Sequence, residues 1–199
     1  MKKKPVPFIK SLSRWLIFIL SFLVICQAVL LVTQAKKEEP QKEIPIPSLE
    51  FKEVAGSSLK LVFVPGGASL RKEETASFDL VLTPKRKLRL DGARLVLNFN
   101  PKFVELRQIT TPRLFSSTSV SREGEKEGKI FLTFLEEKPE GLWLDKETKL
   151  VTLALKGIRV GESEVVVVTE GEGPQTVITE TDSSKKILFD YGNLKLVVY

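Results

Sequence analysis

From Asp91 to Phe99, apolar side chains recur at every second position, Ala93, Leu95, Leu97 and Phe99, while Gly92, Arg94, Val96 and Asn98 occupy the other parity. A period of two is the pattern of a β-strand with one buried face. Asn100-Pro101 then breaks the ladder, because proline fixes φ and has no N–H to donate, and a second apolar run begins at Phe103-Val104-Glu105-Leu106. A slip of one residue would expose several large side chains, each worth roughly 1.5–3 kcal/mol when buried, so the register of this stretch is set. Further strands are predicted at Ser58–Val64, Ala76–Thr83, Lys129–Glu136, Lys149–Lys156, Glu164–Thr169, Gln175–Thr179 and Leu194–Tyr199, with Pro65-Gly66-Gly67, Pro84 and Thr111-Pro112 among the breaks. The Ser/Thr cluster Ser116–Ser121 reads as an exposed loop, open to O-glycosylation in an exported protein. About nine strands and no helical periodicity in this part predict an all-β, two-sheet sandwich of the jelly-roll kind.

The pattern ahead of the strands is different. Trp15–Val32 runs for eighteen residues without a charge, enough helix to cross most of a bilayer core of about 30 Å. It predicts a transmembrane signal anchor over 15–34. A cleaved signal peptide is the alternative, since Thr33-Gln34-Ala35 loosely resembles a small-residue cleavage site, but its apolar region would be shorter, about 7–15 residues. Cys26, the only cysteine, lies inside this run behind Val24 and Ile25, which are too large for lipoprotein processing, and reads as an apolar filler. Lys2, Lys3, Lys4, Lys10 and Arg14 precede the helix with no acid among them, which keeps the basic segment 1–14 cytoplasmic and places the chain beyond the helix outside a plasma membrane crossed once. Residues 35–56 mix charges with Pro40, Pro45 and Pro47 and predict an extended linker, leaving 57–199 for the sandwich.

Charge narrows the chemistry. The chain carries 31 basic and 25 acidic residues, and setting aside the five cations ahead of the helix leaves 26 against 25, so the basic balance belongs to the anchor and is no nucleic-acid signal. There is no histidine, and no cysteine outside the apolar run, which removes the usual catalytic triads, zinc sites and disulfides. No calcium loop of the Asp-x-Asp-x-Asp-Gly type occurs, and no cofactor or metal is expected. Glu123, Glu125, Glu127, Glu136 and Glu137 lie beside lysines and in turns and read as solvated charge rather than a glycosidase pair. No catalytic residue is expected. Trp143 could stack on a sugar ring, and partial burial at a sandwich edge is the simpler expectation.

Several short motifs resemble those of cohesin domains. Phe99-Asn100-Pro101 followed by Phe103-Val104-Glu105 is similar to their aromatic-Asp-Pro and Val-Leu-Glu signature, with Leu95 and Leu97 matching the preceding strand. Gly128-Lys129-Ile130-Phe131-Leu132, Leu150–Lys156, Gly161-Glu162-Ser163-Glu164-Val165 and Asp190-Tyr191-Gly192 resemble later steps of the same pattern, so the likeness runs from about Ser58 to Val198. The resemblance implies a nine-stranded jelly roll related to carbohydrate-binding modules, without catalysis, that receives a dockerin domain on one flat sheet face. At the two positions where the best-known class carries Asn and Asp, seven and five residues before the aromatic, this chain has Gly92 and Arg94. That departure implies a different specificity, or a partner that is no dockerin. A carbohydrate-binding module acting on extracellular polysaccharide is the alternative function.

In Ile130–Leu135 both parities are apolar, and a two-layer sandwich buries only one of them well. Matched to the motif, Phe131, Thr133 and Leu135 are expected inside. Leu132 and Phe134 are then expected beside Val96 on the outer face, rimmed by Arg94, Asn98 and Glu137. These six residues form the candidate partner-binding patch. On this reading Phe134→Asp would weaken binding and leave the fold intact. The alternative is a loop or later strand that covers the face.

Overall fold

The computed structural model describes residues 51–181 and 185–199, together with Gln27. Of the membrane segment predicted over 15–34 only Gln27, in α-helix, is among them, and the segments 1–14 and 35–50 lie outside the described residues. Among the described residues no helix is long and apolar enough to cross a membrane. The chain divides into two units, Met1–Ile44 and Pro45–Tyr199, and the second holds the sandwich.

Among the described residues fourteen strands build that sandwich, against the nine predicted. In chain order they are β1 (Phe51–Lys52), β2 (Leu59–Val64), β3 (Gly67–Leu70), β4 (Thr75–Pro84), β5 (Leu88–Asn98), β6 (Val104–Thr110) and β7 (Ser117–Ser121). The second half supplies β8 (Lys129–Leu135), β9 (Leu142–Leu144), β10 (Thr148–Gly157), β11 (Gly161–Val167), β12 (Val177–Glu180), β13 (Phe189–Gly192) and β14 (Leu194–Val198). One sheet runs β1-β13-β2-β4-β10-β6, and the other β3-β14-β11-β5-β8-β7, with β9 and β12 also paired to β5. The nine predicted strands each overlap one of these. Of the five additions, β7 is the Ser/Thr stretch read as a loop, and β1, β3, β9 and β13 are two to four residues long, too short to display a period of two. β1 falls inside the stretch read as linker, and Asp190-Tyr191-Gly192 belongs to β13.

The last strands pair parallel to the first ones, β13 with β2 in one sheet and β14 with β3 in the other, and the chain changes sheet at Asn193 between them. Asn193 Oδ1 accepts from Val167 N–H at 3.1 Å, fixing that crossing to β11. Asp190, 2% exposed, accepts from Val54 N–H at 2.7 Å and pairs with Lys85 Nζ at 2.6 Å, so the turn before β2 and the turn before β5 are tied to β13. Burial pushes the Asp190 carboxyl up, but the Lys85 ammonium and the Val54 and Ser57 donors outweigh it and hold it down at about 2.

β5 is the strand that meets most neighbours. Its first half pairs with β9 and its second half with β8 on one side, while β12 and β11 share the other side. The two halves have opposite parity. Leu88 and Leu90 face the core, and after one extra residue at Asp91 the core positions become Ala93, Leu95 and Leu97. The pairing with β12 records the same step, since Thr179 lies opposite Gly92 and Glu180 opposite Leu90. A β-bulge of this kind turns the strand and re-aims the side chains beyond it. Opposite these residues, Leu59, Leu61 and Phe63 of β2, Phe78, Leu80 and Leu82 of β4 and Leu153 and Leu155 of β10 close the core from the other sheet. At roughly 1.5–3 kcal/mol per large side chain, this burial holds the domain without a disulfide.

Candidate partner-binding face

The pairing of β5 with β8 decides which residues share a surface. Gly92 lies opposite Leu135, Ala93 opposite Phe134, Arg94 opposite Thr133, Leu95 opposite Leu132 and Val96 opposite Phe131. Paired residues in a sheet point to the same side, so the core positions Ala93 and Leu95 take Phe134 and Leu132 inward with them. Leu132 is 0% and Phe134 1% exposed, and the Phe134 ring lies 5.4 Å from that of Phe115 inside the sandwich.

The expected orientation of β8 is therefore inverted. Ile130, Leu132 and Phe134 face the core, and Phe131, Thr133 and Leu135 face outward. The reason lies in the strand itself, because the even parity is wholly apolar while the odd parity carries Thr133. The start of β8 is pinned as well. Phe99 N–H donates to Gly128 O at 2.7 Å, and Gly128, at φ 79°, takes a conformation in which a Cβ would collide with Phe99 O. That contact sets Lys129 against Asn98 and hence the whole register.

The other four residues of the expected patch separate. Arg94 is exposed on the outer face, and its Nε donates to Gln175 O at 3.3 Å. Val96 has the outward parity but is only 3% exposed. Between β11 and β12 the chain leaves β5 as a loop, and Thr176 fills the gap. Val96 N–H donates to Thr176 Oγ1 at 2.9 Å, the same hydroxyl is 3.3 Å from Val96 O, and Val168 N–H donates to Val96 O at 2.9 Å. A later segment thus covers this part of the face. Asn98 is half-buried at the Lys129 end, its Oδ1 enclosed without a hydrogen bond. Glu137 is exposed in the segment after β8.

What remains open on the outside is a row across three strands. Leu135, 52% exposed, is the most open apolar residue on it, with Phe131 and Thr133 half-buried along β8, Ser117, Ser119 and Ser121 beside them on β7, and Arg94 on β5. Val177 and Thr179 of β12 continue the row past β5. A depression of about 310 Å³ lies here, lined by Gly92, Arg94, Thr133, Leu135, Val177 and Lys186 among others. Its charged lining residues are the two cations Arg94 and Lys186. Sequence reasoning missed Phe131, Leu135, Val177 and Lys186 as members of this face.

Gly92 forms the floor of the depression. A Cβ there would lie 2.4 Å from Phe134 O and 3.3 Å from Leu135 Cδ2, so no side chain fits where the resemblance expects Asn. The outward charge at the next expected position is also reversed, Arg94 for Asp.

Elsewhere three of the acids that could imitate a catalytic pair are engaged on the surface. Arg122 grips Glu125 through two bonds of 2.6 and 2.8 Å, Lys129 approaches Glu127 at 3.8 Å, and the Ser116 hydroxyl donates to Glu136, holding that carboxyl below its usual range. Among the described residues no group of three or more acids, histidines or cysteines could hold a metal ion. Trp143 lies on β9 and is 53% exposed, with Lys87 Nζ 4.7 Å and the Arg89 guanidinium 5.1 Å over its ring. Both cations thus lie within cation–π range of the ring.

No protein-family model and no curated protein matches this sequence. Solved structures do match the fold. The third cohesin of ScaC from Acetivibrio cellulolyticus, in complex with the ScaB dockerin, superposes with a TM-score of 0.59 at 17% identity over 70% of this chain and 98% of that one. The cohesin of OlpA from Clostridium thermocellum, in complex with a dockerin, gives 0.57 at 13% identity over 71% and 99%. A non-cellulosomal cohesin from the hyperthermophilic archaeon Archaeoglobus fulgidus gives 0.54 at 11% identity over 72% and 92%. The domain has the cohesin fold.

Proposed function

We propose that this domain is a non-catalytic recognition module of the cohesin type, and that it binds a protein partner through the outward face of β8, β5 and β12. The observation that carries the reading is the open row of Leu135, Phe131, Thr133 and Arg94 on a sheet of cohesin fold, half apolar and rimmed by charge. A partner surface of this composition is typical of a protein contact, with an apolar centre and a polar border. Arg94 and Glu137 belong to the rim, and Leu135 replaces the buried Leu132 and Phe134 as the apolar anchor. The partner is of the dockerin kind, with a specificity matched to Gly92 and Arg94 rather than to Asn and Asp. In this proposal residues 15–34 anchor the chain in the plasma membrane with the basic segment 1–14 in the cytoplasm. Residues 35–56 then hold the domain of 57–199, extended by β1, clear of the outer surface.

The test is calorimetric titration of the full chain in detergent micelles with dockerins from the same genome, in calcium and in EDTA, beside sedimentation with insoluble polysaccharide. Saturable binding of a dockerin is the expected result. Retention on polysaccharide with no response to any dockerin would replace this reading with the carbohydrate-binding one.

A further inference from the structure

The two sheets end in edges of unequal kind. In the first sheet the long edge is β6, which carries Glu105 and Arg107, paired at 3.0 Å, and an irregular register against β10 between Ala154 and Leu155. Charge and a bulge are the usual devices that keep an edge from pairing with another chain. In the second sheet the corresponding edge is β7, Ser117-Thr118-Ser119-Val120-Ser121. It has no charge, no proline and no bulge, and it pairs in unbroken register with β8 alone. Among the described residues none of its backbone groups bonds to a turn or loop. The other strands with an open side, β1, β3, β9 and β12, are two to four residues long.

We propose that β7 is a pairing edge that takes the β7 of a second copy of this chain, antiparallel and centred on Ser119. The strand is complementary to itself in that register. Ser117 faces Ser121 of the second copy, Thr118 faces its Val120, and Ser119 faces Ser119, so every cross-strand pair is small, uncharged and of high β-propensity or hydroxyl-bearing. Val120 supplies the reason to pair. It shares the inward parity of its neighbour Leu132, yet it is 39% exposed where Leu132 is sealed, because the sandwich ends beside it. Thr118 of the second copy would lie against it. One position beyond the strand on one side is Ser116, which holds Glu136, and on the other is Arg122, which is paired with Glu125, so the antiparallel arrangement brings no unpaired like charges together at either end.

Five residues bury less than a standard interface, so the pairing is weak in dilute solution and gains from tethering two chains to one surface, where effective concentrations approach about millimolar. Pairing would also merge two outward faces into one continuous sheet, β5-β8-β7 and its symmetry mate, a receptor with two equivalent sites. Edge pairing of this kind does not require that the partner be a dockerin.

The test uses the full chain in detergent micelles with Cys26→Ser, so that any disulfide comes from an introduced thiol. Ser119→Cys should form a covalent dimer on mild oxidation several-fold faster than Val160→Cys, an exposed position away from the strand that measures chance collision. Ser117→Cys alone should stay at the Val160→Cys rate, and Ser117→Cys with Ser121→Cys should recover the fast rate, because the register sets 117 against 121. Adding Val120→Lys to Ser119→Cys should return the rate to the collision level with an unchanged melting temperature. A Ser119→Cys rate equal to that of Val160→Cys overturns the proposal, including the case in which β7 serves a strand of some other protein. Fast cross-linking of Ser117→Cys alone overturns the register.

Discussion

Ile130, Leu132 and Phe134 on one side of β8, and Phe131, Thr133 and Leu135 on the other, come from a single seven-residue strand of almost uniform hydrophobicity. The first three are buried beneath the opposite sheet, while the second three border solvent and Leu135 is half exposed. Composition separates the two sets only through Thr133 on the outward side. What also separates them is the register that Gly128 and Phe99 impose at the start of the strand and the bulge at Asp91 near its partner's other end. Where both parities of a strand are largely apolar, then, a contact at one end joins a single polar residue in fixing the face.

The largest expected effect breaks the inner side. Phe134→Asp removes a buried aromatic and places an unpaired carboxylate in the core, and should cost more than about 4 kcal/mol and unfold the domain in mild urea. Gly92→Asn attacks the pairing that holds the two faces apart. Its Cβ would strike Phe134 O, so the β5–β8 ladder must shift, and a loss of about 1–3 kcal/mol is expected from thermal denaturation.

Thr176→Val sharpens the outer side. It keeps the volume but removes the hydroxyl that Val96 N–H needs, leaving a buried donor unsatisfied at a cost of about 1–2 kcal/mol by urea denaturation.

The same contrast between a paired and an unpaired buried group can be read by pH in the other sheet. The Asp190 carboxyl is depressed to about 2 in the fold and returns to its ordinary value of 3.8 on unfolding, so its contribution is complete above pH 4 and is lost as the pH falls toward 2. Asp190→Asn should remove about 1–2 kcal/mol at neutral pH and flatten the decline between pH 4 and 2. The check is a series of denaturation curves across that range.

Much of the sandwich is legible in the sequence because its long strands obey a period of two. Ala93, Leu95 and Leu97 mark the core face of β5, and even the Asp91 bulge is written in the sequence as the step of three from Leu90 to Ala93. β7 reads as a loop because Ser and Thr serve loops and strands alike, and only the pairing with β8 makes Ser117–Ser121 a strand. The burial of Val96 is not legible at all, since Thr176 lies eighty residues away in sequence and meets it only in the fold. The candidate site fails also in the choice of face on β8, although Thr133 is the single polar residue of Ile130–Leu135 and marks the outward parity.

The claim at the centre is that the outward row of β8 recognises a partner while the inward row holds the fold. Leu135→Asp tests it most directly, because an exposed position should tolerate the charge within about 0.5 kcal/mol. Wild type and Leu135→Asp, matched in melting temperature, are titrated calorimetrically with the dockerin that binds the wild type. At least a tenfold loss of affinity is expected in the variant, equivalent to about 1.4 kcal/mol. Equal affinity in the two proteins would contradict it.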